Sequence, residues 1–180
     1  MKKIVMILLG VVLLLAGVAV AFLYSTTPRR LDRAMKPFVN IRLDLMRAHE
    51  KALNESHYSR ANYIHWLSSQ IAEQSVVAGR ATLNPDDPSR ATPDQRNEIV
   101  GAVVRFHNRA NTMYDESPSD MSWQAGNVWE DVRNARGTKS PSDWDKVNAE
   151  LKEHLSQESY ESLIAAQEKY TIREYFCGAR

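Results

Sequence analysis

Apolar positions along this chain follow two regimes. From Ile4 to Tyr24 they are continuous: 21 positions carry no charged or strongly polar side chain. At about 1.5 Å per residue a helix of that length reaches roughly 31 Å, the thickness of a bilayer's hydrocarbon core. From Phe38 onward the apolar positions become periodic. Phe38, Ile41, Leu45, Ala48 and Ala52 step by three and four, and Val39, Leu43 and Met46 widen the face. The pattern resumes at Tyr58, Ala61, Ile64, Leu67 and Ile71 after a polar interval over 54–59, which leaves one long helix or two. Further stripes follow: Ile99 to Met113, Met121 to Ala135, Trp144 to Leu155 and Tyr160 to Tyr170. No segment shows the β-branched alternation of a strand. The spacing therefore predicts an all-α protein, an N-terminal transmembrane helix followed by an antiparallel helical bundle.

Punctuation refines this division. Residues 1–24 read as a transmembrane anchor or uncleaved signal, 25–36 as a juxtamembrane linker, and 37–180 as the bundle. Pro37 suits a helix start or a kink. Gly79 reads as a helix stop, and 80–91, rich in Pro and Asp, as the one long loop, open to proteases at Arg80 or Arg90. Three cassettes announce helix starts: Thr92-Pro93-Asp94-Gln95, Ser117-Pro118-Ser119-Asp120 and Ser140-Pro141-Ser142-Asp143. In each, a hydroxyl accepts from an orphan amide, proline occupies a position needing no N–H, and the third residue completes a capping-box-like pair.

Composition narrows location and function. Lys2 and Lys3 followed by an apolar stretch and Ala19-Val20-Ala21 resemble a signal peptide cleaved after Ala21, but such apolar cores usually run about 7–15 residues. The run here continues through Phe22-Leu23-Tyr24, which favours an anchor. Flanking charges conflict over orientation, and the expectation is an exported, periplasmic or extracellular bundle. Arg29, Arg30, Arg33 and Lys36 favour a cytoplasmic bundle, whereas the short Met-Lys-Lys start favours an exported, periplasmic or extracellular one. Beyond residue 24, 21 basic residues face 22 acidic ones, so no net positive charge draws the chain to nucleic acid. The single cysteine, Cys177, excludes an intrachain disulfide and any multi-cysteine metal site. Asn54-Glu55-Ser56 is a glycosylation sequon of little specificity.

The search for chemistry returns little. His49, His57 and His65 recur every eight residues, but on one continuous helix they would fan around the surface. Glu150, His154 and Glu158 would flank an imidazole with carboxylates only if the helix ran through Ser156. Asp86-Asp87 and Asp115-Glu116 read as solvated turn residues. There is no nucleophile elbow, phosphate loop or dinucleotide fingerprint, so neither a catalytic residue nor a cofactor is expected. Among Trp66, Trp123, Trp129 and Trp144, Trp129 lies one position off the Val128–Val132 stripe and is the candidate surface anchor for a protein partner.

The layout resembles the LemA family. Val76-Val77-Ala78-Gly79-Arg80-Ala81, the stretch from Tyr114 through Pro118, Asp120 and Met121 to Gly126-Asn127-Val128-Trp129, and Leu163, Ala166 and Tyr170 carry the likeness. Gln167 and Thr171 depart from it, standing where that family has Arg and Asn, and Arg42-Leu43-Asp44-Leu45 only echoes its Arg-rich run. The resemblance implies an anchored helical bundle with no enzymatic activity established, and it supplies no site residues. The expected function is a single-pass membrane scaffold that binds other proteins and could self-associate. The alternatives are a ligand-sensing periplasmic bundle, which needs an apolar pocket with convergent polar groups and usually a second membrane span, although no second 18-residue apolar run occurs, and a phage or envelope lysis-regulating factor built on a long coiled coil, which the Pro-rich loop opposes.

Overall fold

The computed structural model describes residues 26–114 and 122–178. The apolar segment 4–24 and the Ser117 cassette lie outside these residues. Among the described residues no helix is long and apolar enough to cross a membrane. They form seven helices and no strand: α1 Thr27–Asn54, α2 Tyr58–Leu83, α3 Pro93–Met113, α4 Ser122–Asn134, α5 Pro141–His154, α6 Gln157–Lys169 and α7 Ile172–Cys177. The linker expected over 25–36 is instead helical from Thr27, because Pro28 occupies the first turn, where proline is pre-organised. Pro37 lies within α1 rather than at its start.

A tight turn folds α1 back on α2. Ser56 N–H donates to Leu53 O at 2.9 Å and His57 N–H to Ala52 O at 2.8 Å, the paired bonds of a Schellman motif. Ser56 occupies its left-handed position with φ 59°. That position favours glycine, so Ser56→Gly should raise stability by about 1 kcal/mol in urea unfolding, the left-handed penalty outweighing glycine's entropy cost.

The resulting hairpin is antiparallel along its length. Arg30 Nη2 donates to Thr82 O at one end, and the His49 and His65 rings meet at 6.3 Å toward the other. Helix α3 runs parallel to α1, with Arg105 on Asp32 at 2.7 Å and Arg42 on Asn111 at 3.3 Å. Phe38 and Phe106 fill the seam between them.

Helix α2 is the axis of the molecule. Helices α1, α3, α4, α6 and α7 all pack on it. From Gln70 to Arg80 every residue but Glu73 is buried, so this half has no solvent face. Gly79 is therefore no helix stop. It sits inside α2, where an added Cβ would meet Ile99 Cγ2 at 2.8 Å, so glycine permits the close approach of α3. The helix continues to Leu83, and the loop is correspondingly shorter, Asn84 to Thr92. Arg80, expected as a protease site, is 1% exposed.

Buried and half-buried amide side chains pair across three helices. Gln167 Nε2 donates to Gln74 Oε1 at 2.8 Å and to Asn148 Oδ1 at 2.9 Å, joining α6, α2 and α5. The caps behave as their sequences dictate. Thr92 and Gln95 form a reciprocal capping box, and Ser140 Oγ accepts from Asp143 N–H at 3.1 Å. Ser156 caps α6, and Asp44 of α1 accepts from both its amide and its hydroxyl, at 3.0 and 2.7 Å. Ser140→Ala should cost about 0.5–2 kcal/mol in the same unfolding measurement, because the Asp143 amide loses its acceptor.

Candidate functional site

Bending the α1–α2 hairpin back on itself creates a concavity that no single helix shows. A half-open pocket of about 650 Å³ lies between α1, α2, α3 and α4. Leu45, Met46, Ala72, Val103, Ala125 and Val128 form most of its apolar wall. The volume is within the range typical of small-molecule sites, roughly 300–1,000 Å³, as is the combination of an apolar wall with a few polar groups.

Those polar groups come from three helices. Helix α1 supplies Arg42, His49 and Glu50, α2 supplies His65, and α3 supplies His107 and Asn111. Arg42 Nη2 donates to Asn111 Oδ1 at 3.3 Å. The Tyr114 hydroxyl donates to the Glu50 carboxylate. His107 is 6% exposed, and its Nδ1 is buried without a hydrogen-bond partner. Burial, and then the nearby Arg42 charge, push its pKa from 6.5 down to about 3, so the imidazole is neutral at physiological pH. Its ring packs on Phe106 at 4.2 Å.

Helical periodicity alone separated these groups, and the turn at 55–57 brings them together. His49 and His65, expected to fan apart on one helix, line the same pocket. His57 sits in the turn itself, its Nδ1 3.5 Å from Glu55. No cluster of three or more potential metal ligands occurs among the described residues. The Glu150–His154–Glu158 series is interrupted where α5 ends at His154 and Ser156 caps α6. The two serines on the pocket wall donate to carbonyls of their own helix, Ser68 to Ile64 at 3.1 Å and Ser69 to Trp66 at 2.7 Å. Neither hydroxyl proton goes to a histidine base.

Trp129 is not the surface anchor its offset suggested. It is 5% exposed, with the Arg80 guanidinium 4.0 Å above its ring. The buried stripe of α4 is Ala125, Trp129 and Val132, a rotation of the one read through Val128. From Ala125, steps of three and four are equally helical, and the cation on α2 selects the second. Arg80 in turn donates to the Tyr175 hydroxyl at 2.9 Å, which donates to Val132 O at 3.2 Å. Among the tryptophans whose side chains are described, Trp66 faces solvent, 40% exposed and stacked on Tyr63 at 5.3 Å. Trp144 is buried against Phe176, and the Trp123 side chain lies outside the described residues. Cys177 is a free, half-buried thiol whose pKa burial raises.

No family model, no curated protein and no solved structure matches this chain.

Proposed function

We propose that this protein is a membrane-anchored helical bundle that binds a small molecule in the pocket between α1, α2, α3 and α4. The pocket itself carries the reading: about 650 Å³ of mostly apolar space with an arginine, three histidines, an asparagine and a glutamate on its wall. Of the functions expected from the sequence, the ligand-sensing bundle is the one that requires such a pocket. The scaffold reading, which used Trp129 as its partner anchor, loses that residue to the core.

Binding rather than catalysis fits the wall chemistry. His107 is held neutral and buried, and the pocket serines donate to backbone carbonyls rather than to a base. The uncharged run from Ile4 to Tyr24 would tether the bundle to a bilayer, with Arg29 and Arg30 close to its surface. The LemA resemblance agrees with a tethered bundle, and two segments that carry it meet where Arg80 covers Trp129.

Calorimetric titration of the full chain in lipid nanodiscs with 2-naphthylmethanol, referenced to empty nanodiscs, tests the reading. Saturable one-to-one heat is expected from the native chain. Ser69→Trp, which places an indole at the pocket wall, should abolish it. A native chain that gives no heat beyond that of empty nanodiscs would overturn the proposal.

A further inference from the structure

The apolar wall defines the ligand's body, and two uncharged side chains of α3 define its head. His107 and Asn111 stand one helical turn apart, both are buried, and both line the pocket. Burial, and then the nearby Arg42 charge, keep the His107 imidazole neutral, with a pKa of about 3. One proton then serves two ring nitrogens, so one is an N–H donor and the other a bare acceptor. Nδ1 is the nitrogen enclosed without a hydrogen-bond partner. An enclosed N–H with no acceptor is a rarer defect than an enclosed lone pair, so Nδ1 is the bare nitrogen and the proton resides on Nε2. Nε2 is thereby left to meet the pocket as a donor. Asn111 reaches the same polarity by another route. Its Oδ1 accepts from Arg42 Nη2 at 3.3 Å, which fixes the orientation of the amide and leaves its NH2 group to donate.

From this pairing we infer that the pocket selects an apolar molecule carrying a carbonyl, with the oxygen held between His107 Nε2 and Asn111 Nδ2 and the hydrocarbon body along Leu45, Val103 and Val128. A carbonyl oxygen has two lone pairs and no proton, which complements two converging N–H donors. An ammonium head has no lone pair to offer. A hydrocarbon of the same shape takes water from both donors and supplies no acceptor in return. A site built to hydrogen-bond one group discriminates against the analogue lacking it for that reason.

The inference rests on the pocket-binding reading above, and the choice of probes separates the failure of each. The full chain in nanodiscs is titrated with 2-acetylnaphthalene and with 2-isopropenylnaphthalene, in which a methylene replaces the carbonyl oxygen, against empty nanodiscs. The ketone should bind about tenfold more tightly than the alkene. His107→Leu should cut that advantage to about threefold or less, and His107→Gln, which restores an N–H donor, should keep most of it. Uptake of the probes by lipid is the same for every chain and cancels from the comparison. Asn111→Leu removes the other donor and should produce the same drop, so it replaces His107→Leu if that variant does not fold. Equal affinities of ketone and alkene for the native chain, or an advantage that the leucine variants leave unchanged, would overturn the carbonyl head. The pocket reading would then survive as long as 2-naphthylmethanol still binds. A native chain that binds none of the three probes would remove both.

Discussion

Trp129→Ala should destabilise the bundle by about 3–5 kcal/mol, the cost of truncating a large aromatic in a close-packed core. The indole is buried between α4 and α2, and its ring is the surface on which the Arg80 guanidinium lies. Removing it opens a cavity and also uncovers a cation that is 1% exposed and whose Nε and Nη2 have no hydrogen-bond partner. Burial already draws the Arg80 pKa below its ordinary value, and the ring, the Tyr175 hydroxyl and the Glu130 charge offset that cost only in part. Trp66→Ala supplies the contrast. That residue is 40% exposed and stacks on another partly exposed ring, so its loss should cost less than about 1 kcal/mol. Urea unfolding of both variants checks the pair. A Trp129→Ala protein as stable as Trp66→Ala would mean that the indole is not where the structure puts it.

Acid should weaken the fold through His107. In the folded state its pKa is about 3, against 6.5 unperturbed, so between those values the unfolded chain binds the extra proton. Stability linked to this group is fully present above pH 6.5 and is lost as pH falls toward 3. At pH 5 the loss is about 2 kcal/mol relative to neutral pH, taking one pH unit as roughly 1.36 kcal/mol once the unfolded imidazole is protonated. His107→Leu removes the titrating group. Unfolding free energies at pH 7.5 and 5.0 should therefore differ by about 2 kcal/mol more in the native chain than in the variant. Equal pH dependences would place the imidazole in contact with solvent.

The elements were legible in the sequence wherever one local signal sufficed. The stripes from Phe38 and from Ile99 identify α1 and α3, and the Thr92 and Ser140 cassettes mark helix starts that the capping bonds reproduce. Misreadings arose where tertiary enclosure overrides a local rule. Gly79 resembles a stop by composition, yet it lies inside α2 where an added Cβ would collide with Ile99 of α3. Trp129 looks off-stripe because α4 has two helically equivalent stripes, and only a cation from α2 chooses between them. The buried half of α2 has no periodicity to read, because neighbours cover it on every side.

The candidate site was the least legible part. His49 and His65 lie 16 positions apart, and they converge only because Ser56, a residue with no special claim to the left-handed region, makes the turn. A clue was present in the polar interval over 54–59, which already left open a break between two helices. Combining that break with the eight-residue histidine spacing would have placed His49 opposite His65. Nothing local in the sequence marks His107 or Asn111 as pocket residues, since each is simply a polar position on the buried side of α3.

The pocket as a binding site is the centre of this account, and methyl NMR of the full chain in nanodiscs, labelled at methionine, tests it most directly. Met46 lines the pocket, Met35 lies in the closed core of α1, and Met113 is exposed on α3. On titration with 2-naphthylmethanol the Met46 methyl should shift saturably under the naphthalene ring current, while Met35 and Met113 stay in place. A Met46 signal that does not move, or one that moves no more than Met113, would contradict the account.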